Sequence, residues 1–104
     1  MAWFVLIVSG VLETVWAAAL SRSAGFTRLI PSAVFGVALV LSMLGLGYAL
    51  RSIPVGTAYP IWVGIGAVGA ALYGMLAQGE PASAARLACL VAIVAGVVGL
   101  KLLH

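Results

Sequence analysis

The sequence predicts an all-α membrane protein built from four transmembrane helices. Three observations carry this: 65% of the 104 residues are hydrophobic, only 7% are charged, and the charges fall singly between long apolar runs. A soluble domain of this length covers its core with charged surface, and five basic plus two acidic side chains do not suffice for that. With a mean hydropathy of +1.31, lipid is the expected solvent.

Charged residues divide the chain into four runs: Ala2 to Ser21, interrupted only by Glu13, then Leu29 to Leu50, Ser52 to Gly79, and Leu87 to Leu100. A helix rises about 1.5 Å per residue, so about 20 residues cross a hydrocarbon core about 30 Å thick. The first three runs qualify as they stand. The fourth extends backwards through the small residues of PASAAR, with Arg86 and Lys101 snorkelling to the two interfaces. The predicted helices are 2–21, 29–50, 54–78 and 82–103, forming one transmembrane domain over residues 1–104.

Each connection carries a stop or a start. In SRSAGFTR, Gly25 stands where a helix C-terminus is capped, and Pro31 suits the first turn of helix 2. Pro54 marks the start of helix 3. In QGEP, Gly79 stops helix 3 and Pro81 starts helix 4, with Glu80 near the positive end of the helix 4 dipole. Such short loops predict an up-down-up-down bundle with both termini on one side. Arg22, Arg28 and Arg86 then share one membrane face, Arg51 and Lys101 the other, so charge bias sets orientation only weakly and both insertions are open.

Several function classes fall away. The basic residues form no patch, so the net charge of +3 gives no reason to expect nucleic acid. The lone Cys89 permits no internal disulfide and no metal cluster; inside an apolar run, it is expected to be a small buried packing residue. The first run is no secretory signal, because it lacks a basic n-region and carries Glu13 in its middle. With no Ser/His/Asp set, no Cys/His pair and no paired carboxylates, enzyme chemistry has no constellation and no cofactor is implied. Met1, Met43 and Met75 read as lipid-facing or core filler, and His104 as a solvated tail.

Helix 3 contains GIGAVG, Gly64 to Gly69, which matches a dinucleotide fingerprint letter for letter. That motif has meaning only between a strand and a helix of a soluble βαβ unit, a context absent here. In a membrane helix, glycines let another backbone approach and weaken the helix against bending, so Gly64 and Gly66 read as a packing face and hinge. In helix 4, Ala88, Ala92 and Gly96 form a small-residue stripe at four-residue spacing, suited either to a dimer seam or to packing within one subunit.

Glu13 is the residue that points to function. It lies eleven residues after Ala2, roughly 16 Å along a helix and so near the bilayer midplane. An ionised carboxylate at that depth costs on the order of 2.5 kcal/mol or more, and the acid must be protonated, paired or facing water. Ser9, Gly10, Trp16 and Ala17 share its helical face. Helix 3 adds Tyr59 and Trp62, three residues apart, and helix 2 offers Ser42 as its only mid-run hydroxyl. A carboxylate with aromatic rings and hydroxyls around one cavity is a cation site: the acid supplies charge, the rings cation–π attraction, and the hydroxyls orientation. The alternatives are a protonated Glu13 acting as interhelical glue, and Tyr59 and Trp62 belonging to an interfacial aromatic belt.

GVLETVW in helix 1, GFTRLIPS after it, PVGTAYPIWVGIGAVGA across helix 3 and a Gly-rich helix 4 together resemble the small multidrug resistance family over essentially the whole chain. Glu13 followed by Trp16 is similar to the guanidinium exporter branch, whose multidrug relatives usually carry a small residue at the latter position; Gly10 and Lys101 match that branch too. The resemblance implies an antiparallel, dual-topology homodimer in the bacterial cytoplasmic membrane, exporting guanidinium in exchange for protons at one site made from both copies of Glu13. It places Trp16, Ser42, Tyr59 and Trp62 around that site and a bend at Gly64 and Gly66. Pro60 and Val63 depart from the helix 3 pattern, where relatives commonly have Ala and a small polar residue, and Ser9 adds a hydroxyl where Ala is also common. Pro60 removes a backbone donor and crowds the Gly56 carbonyl, which predicts a kink in the first turns of helix 3 and a re-aimed Tyr59.

The assignment is physically coherent. Four helices cannot enclose a wide aqueous path, and a second, inverted copy would supply the symmetry that larger transporters obtain from internal repeats. Desolvation and like-charge proximity both favour a neutral acid, so protons and cations compete for one charge. Trp16, one turn from Glu13, would narrow the pocket against bulky cations. The competing readings are a quaternary ammonium or multidrug exporter of the same family, and a non-transporting tetraspan subunit whose Glu13 pairs with a partner's basic residue.

Overall fold

A computed structural model describes residues 1–103 as four helices: α1 (Ala2–Arg22), α2 (Leu29–Ala49), α3 (Val55–Ala77) and α4 (Ala84–Leu103). The tail expectation for His104 lies outside the described residues. All four helices are long and apolar enough to cross a membrane. Their ends follow local chemistry that the charge pattern does not reveal.

Helix α1 does not stop on Gly25. Its C-cap is Ser23, in a right-handed conformation, and the chain then turns through three left-handed residues, Ala24 (φ 50°), Gly25 (φ 72°) and Phe26 (φ 69°). Only Gly25 adopts that region freely; a bulky residue there costs about 1–3 kcal/mol. Fully buried Ser23 offsets the strain. Its hydroxyl donates to the Leu20 carbonyl at 2.8 Å and accepts the Phe26 N–H at 3.1 Å, while its carbonyl accepts the Thr27 and Arg28 N–H groups at 2.9 and 3.0 Å.

Helix α3 begins one residue later than predicted, because Pro54 serves as its N-cap with an extended ψ of 146°. Its carbonyl accepts the Thr57 and Ala58 N–H groups. Pro60 lies inside α3, which runs unbroken to Ala77. At the far end Gly79 turns left-handed (φ +70°) and the Glu80 N–H returns to the Gly74 carbonyl at 3.1 Å. Helix α4 starts at Ala84, not 82: Pro81 does not open it, because the Ser83 hydroxyl accepts the Arg86 N–H at 3.1 Å and makes Ser83 the cap.

The helices do not close into a bundle. Helix α1 packs against α2 and α3, contact between α2 and α3 is slight, and α4 packs along α3, reaching α1 where Lys101 lies over the Trp3 ring, giving the order α2, α1, α3, α4 across a body of 41 × 34 × 17 Å. A thickness of 17 Å is less than two helices of about 10–12 Å diameter, so a single subunit is a shallow, open layer. Missing side chains are what draw its members together. Gly45 of α2 makes room for the Ser9 side chain, Gly10 of α1 lies against Ile65, Gly69 of α3 lies against Thr14, and Gly64 receives Val97 and Ile93 of α4.

The apolar core sits at one end of this layer, where Leu6, Leu46, Ala49, Ile53, Ala58, Ile61 and Trp62 meet around the α2–α3 turn, with Trp3, Val97 and Leu100 packed against them. The other end is held by polar links: Arg22 to the Tyr73 hydroxyl, the Gln78 amide to the Ser21 hydroxyl at 3.0 Å, and Arg86 to Glu80 at 2.8 Å. No residue of α4 is buried. Cys89 is accordingly exposed rather than packed inside, because α4 packs along one side only, mainly against α3. Ala88, Ala92 and Gly96 are exposed as well, and Gly96 has nothing within 4 Å of where a Cβ would stand, so the stripe does not pack within the subunit.

Candidate cation site

Glu13 projects from the middle of α1 towards α3, and Gly66 makes its position possible: a Cβ on Gly66 would collide with the Glu13 carboxylate. Beside it the Thr14 hydroxyl donates to the Gly66 carbonyl at 3.4 Å, tying the same turn of α3 to α1. Glu13 is half-buried, and its Oε1 is sealed from solvent with no hydrogen-bond partner among the described residues. A buried acceptor without a donor is a costly arrangement that calls for a ligand or a proton.

Among the described residues, no basic side chain answers it. Arg86 pairs with Glu80, Arg22 lies on Tyr73, Arg51 sits 5.8 Å from the Tyr48 ring centre, and Lys101 5.1 Å from that of Trp3; all are at or beyond helix ends. No group of His, Cys, Asp and Glu able to hold a metal occurs among the described residues. The mid-span acid is thus an uncompensated acceptor.

Ser9, Ser42 and Trp62 form a buried hydrogen-bonded line across three helices. The Trp62 indole N–H donates to the Ser42 hydroxyl at 3.1 Å, and that hydroxyl donates to the Ser9 carbonyl at 2.7 Å. The Ser9 hydroxyl itself turns back to the Val5 carbonyl at 2.7 Å, so Ser9 contributes a backbone acceptor here. Tyr59 stacks on Trp62 with ring centroids 5.8 Å apart and is 52% exposed, the open edge of the group. Trp16 lies one turn beyond Glu13, half-buried, with its indole N–H lacking a partner among the described residues.

The structure therefore joins Ser42 and Trp62 to Ser9, sets Tyr59 on Trp62, and sets Gly66 against Glu13, but no hydrogen bond links Glu13 to Ser42, Tyr59 or Trp62 within the subunit. Gly10 and Gly64 are at helix contacts, against Ile65 and Val97. Sequence reasoning passed over Thr14, Gly45 and Phe35, whereas Gly69, part of the glycine run read as a packing face, does lie against Thr14. Phe35 is the consequential omission, since its ring meets Trp16 at 5.9 Å. An aromatic residue in an apolar span carries no signal that separates a site wall from a lipid-facing surface.

A half-buried carboxylate with an unpartnered oxygen in the middle of a membrane span marks a functional site. The family model for the Small Multidrug Resistance protein matches residues 1–103. The chain belongs to the small multidrug resistance family. As a small multidrug resistance protein it is an integral membrane protein of four long apolar helices. It is 55% identical over 102 residues to proteins named guanidinium exporter in Citrobacter freundii and in Salmonella typhimurium, covering 98% of this chain and 97% of theirs. It is 51% identical, with the same coverage, to the guanidinium exporter of Escherichia coli strain K12. These small multidrug resistance relatives are transporters rather than enzymes.

Proposed function

We propose that this protein exports guanidinium and small guanidinyl cations in exchange for protons, as an antiparallel homodimer in the bacterial cytoplasmic membrane, each subunit a single transmembrane domain. The observation that carries the reading is the mid-span Glu13 carboxylate, seated on Gly66 with an oxygen unpartnered and no basic side chain beside it among the described residues. The relatives named guanidinium exporters supply the substrate class.

The chemistry follows from the group's shape. Guanidinium is flat, holds its proton at physiological pH and offers paired N–H donors that a carboxylate accepts side-on. Tyr59 and Trp62 offer ring faces to the same cation, with Ser42 fixing the indole. Trp16 limits the size of what reaches Glu13.

The open layer of helices supports a dimer. One subunit encloses no path, the α4 surface bearing Ala88, Ala92 and Gly96 is uncovered, and the near-even distribution of basic residues permits both insertions. Two inverted copies bring their Glu13 carboxylates to a common site, and a bend of α3 at Gly64 and Gly66 alternates its access. Protons and guanidinium then compete for the same pair of acids. Coupling requires that the site change sides when loaded with either and stay put when empty.

Proton-driven uptake of labelled guanidinium into proteoliposomes tests this. An inward substrate flux that appears only with an imposed pH gradient and disappears in Glu13→Gln is the expected outcome. A flux restricted to bulky quaternary ammonium cations would move the assignment to the multidrug branch. Silence from folded protein with both substrates would make it a subunit awaiting a partner.

A further inference from the structure

The α1–α2 seam carries a trough on the face of α1 that turns away from Glu13. Its outer part, a furrow of about 460 Å³, lies between Val15, Ala18 and Arg22 of α1, Val34 of α2 and Tyr73 of α3. Its inner part, of about 380 Å³, continues to Leu12 and Leu41 and shares Val15 and Val34 with the first. The two make one apolar channel that runs ten residues along α1 from Arg22 to Leu12, about 15 Å into the membrane. Val15 is two residues from Glu13, about 200° around the helix, so most of the trough faces away from the cation site, and Thr14, about 100° from Glu13, is the lining residue nearest to it.

The mouth of this channel is cationic. Arg22 is the charged residue that lines it, and the guanidinium is oriented by Tyr73: its Nε donates to the phenol hydroxyl, and its carbon lies 5.7 Å from the ring centre. The terminal nitrogens of Arg22 make no hydrogen bond among the described residues, and no carboxylate neutralises it, since Glu80 is engaged by Arg86 at 2.8 Å. Arg28, six residues on, caps the start of α2 on the same membrane face.

We propose that this trough binds an anionic phospholipid, its phosphate against Arg22 and one acyl chain along Val15, Ala18, Val34 and Leu41. Charge complementarity selects the headgroup: a guanidinium fork held at the interface matches a phosphate, and a net-negative lipid keeps the attraction that a zwitterionic one cancels in part. A cationic amphiphile is disfavoured at the same mouth. The site is independent of guanidinium transport and needs only that the chain span a bilayer.

The test is electron spin resonance on the purified protein in bilayers containing spin-labelled phosphatidylglycerol or phosphatidylcholine, reading the fraction of lipid immobilised on the protein. Wild type is expected to prefer phosphatidylglycerol about five-fold, the factor that one basic residue near the surface supplies. Arg22→Gln removes the preference, and Ala18→Phe, which fills the trough, lowers immobilised phosphatidylglycerol with Arg22 intact. Arg51→Gln, on the opposite membrane face and paired with no carboxylate among the described residues, retains it. Circular dichroism establishes that each variant is folded, and Val34→Phe fills the trough from the α2 side should Ala18→Phe fail. Equal retention of both lipids by wild type overturns the proposal. So does a preference that survives both Arg22→Gln and filling of the trough, or one that Arg51→Gln lowers as much as Arg22→Gln does.

Discussion

Trp16 of α1 meets Phe35 of α2 edge to face, ring centroids 5.9 Å apart and planes at 81°, and Phe26 of the α1–α2 turn closes on the far side of Phe35 at 5.5 Å. The turn that delivers Phe26 is the left-handed one held by Ser23. The rotamer of the tryptophan nearest the mid-span acid is thus set by an aromatic stack that reaches the membrane edge. An edge-to-face pair contributes about 0.5–1.5 kcal/mol. Phe35→Ala should therefore raise the guanidinium concentration for half-maximal transport by roughly two- to ten-fold, while Phe35→Tyr, which keeps the ring, stays near wild type. Transport titrations of the two variants side by side make the comparison.

Removing Trp16 itself acts on selectivity. If Trp16 limits what reaches Glu13, as proposed, Trp16→Gly is expected to admit quaternary ammonium compounds with aromatic or alkyl groups. Competition of such compounds against guanidinium uptake measures this. Unchanged selectivity would count against Trp16 as the filter.

Glycine substitutions separate site geometry from helix propensity. An alanine Cβ at Gly66 collides with the Glu13 carboxylate, whereas one at Gly36 meets nothing within 4 Å. Gly66→Ala should abolish guanidinium transport. Gly36→Ala should transport normally and be slightly more stable, since Gly costs about 1 kcal/mol relative to Ala inside a helix. Flux and thermal unfolding in detergent report the two effects separately.

The Trp62–Ser42–Ser9 line makes a prediction about stability. Ser42 is fully buried and is at once acceptor and donor. Ser42→Ala leaves the Trp62 indole N–H unsatisfied, at a cost of about 1–3 kcal/mol. Trp62→Phe removes that donor as well, so the double variant should lose less than the sum of the singles. Additive losses in a thermal-unfolding cycle would mean that the bond adds nothing.

The four spans and the mid-membrane acid were legible because isolated charges punctuate the chain and because an acid among Leu, Val and Ala has few explanations. Helix starts shifted where capping chemistry competed with proline: Ser83 opens α4 although Pro81 looked like the start, and Pro54 stands just outside α3. The Ser23 turn was read as a Gly25 cap because a lone glycine does not disclose that its neighbours Ala24 and Phe26 are left-handed too. The order of helices was not readable. Which faces of α1 meet α2 and α3 depends on Gly45, Gly66 and Gly69 admitting Ser9, Glu13 and Thr14, a pairwise fit that no single helix records. Phe35 escaped for the same reason: its importance lies in what it touches.

In the proposed mechanism guanidinium and protons compete for Glu13. The direct measurement is the proton release that accompanies guanidinium addition to purified protein in weakly buffered solution, taken across a pH series and repeated with Glu13→Gln. Release is expected on substrate addition within a defined pH range, diminishing as rising pH leaves fewer protons bound, and none from the variant. Guanidinium binding without proton release at any pH, or release that persists in Glu13→Gln, would contradict it.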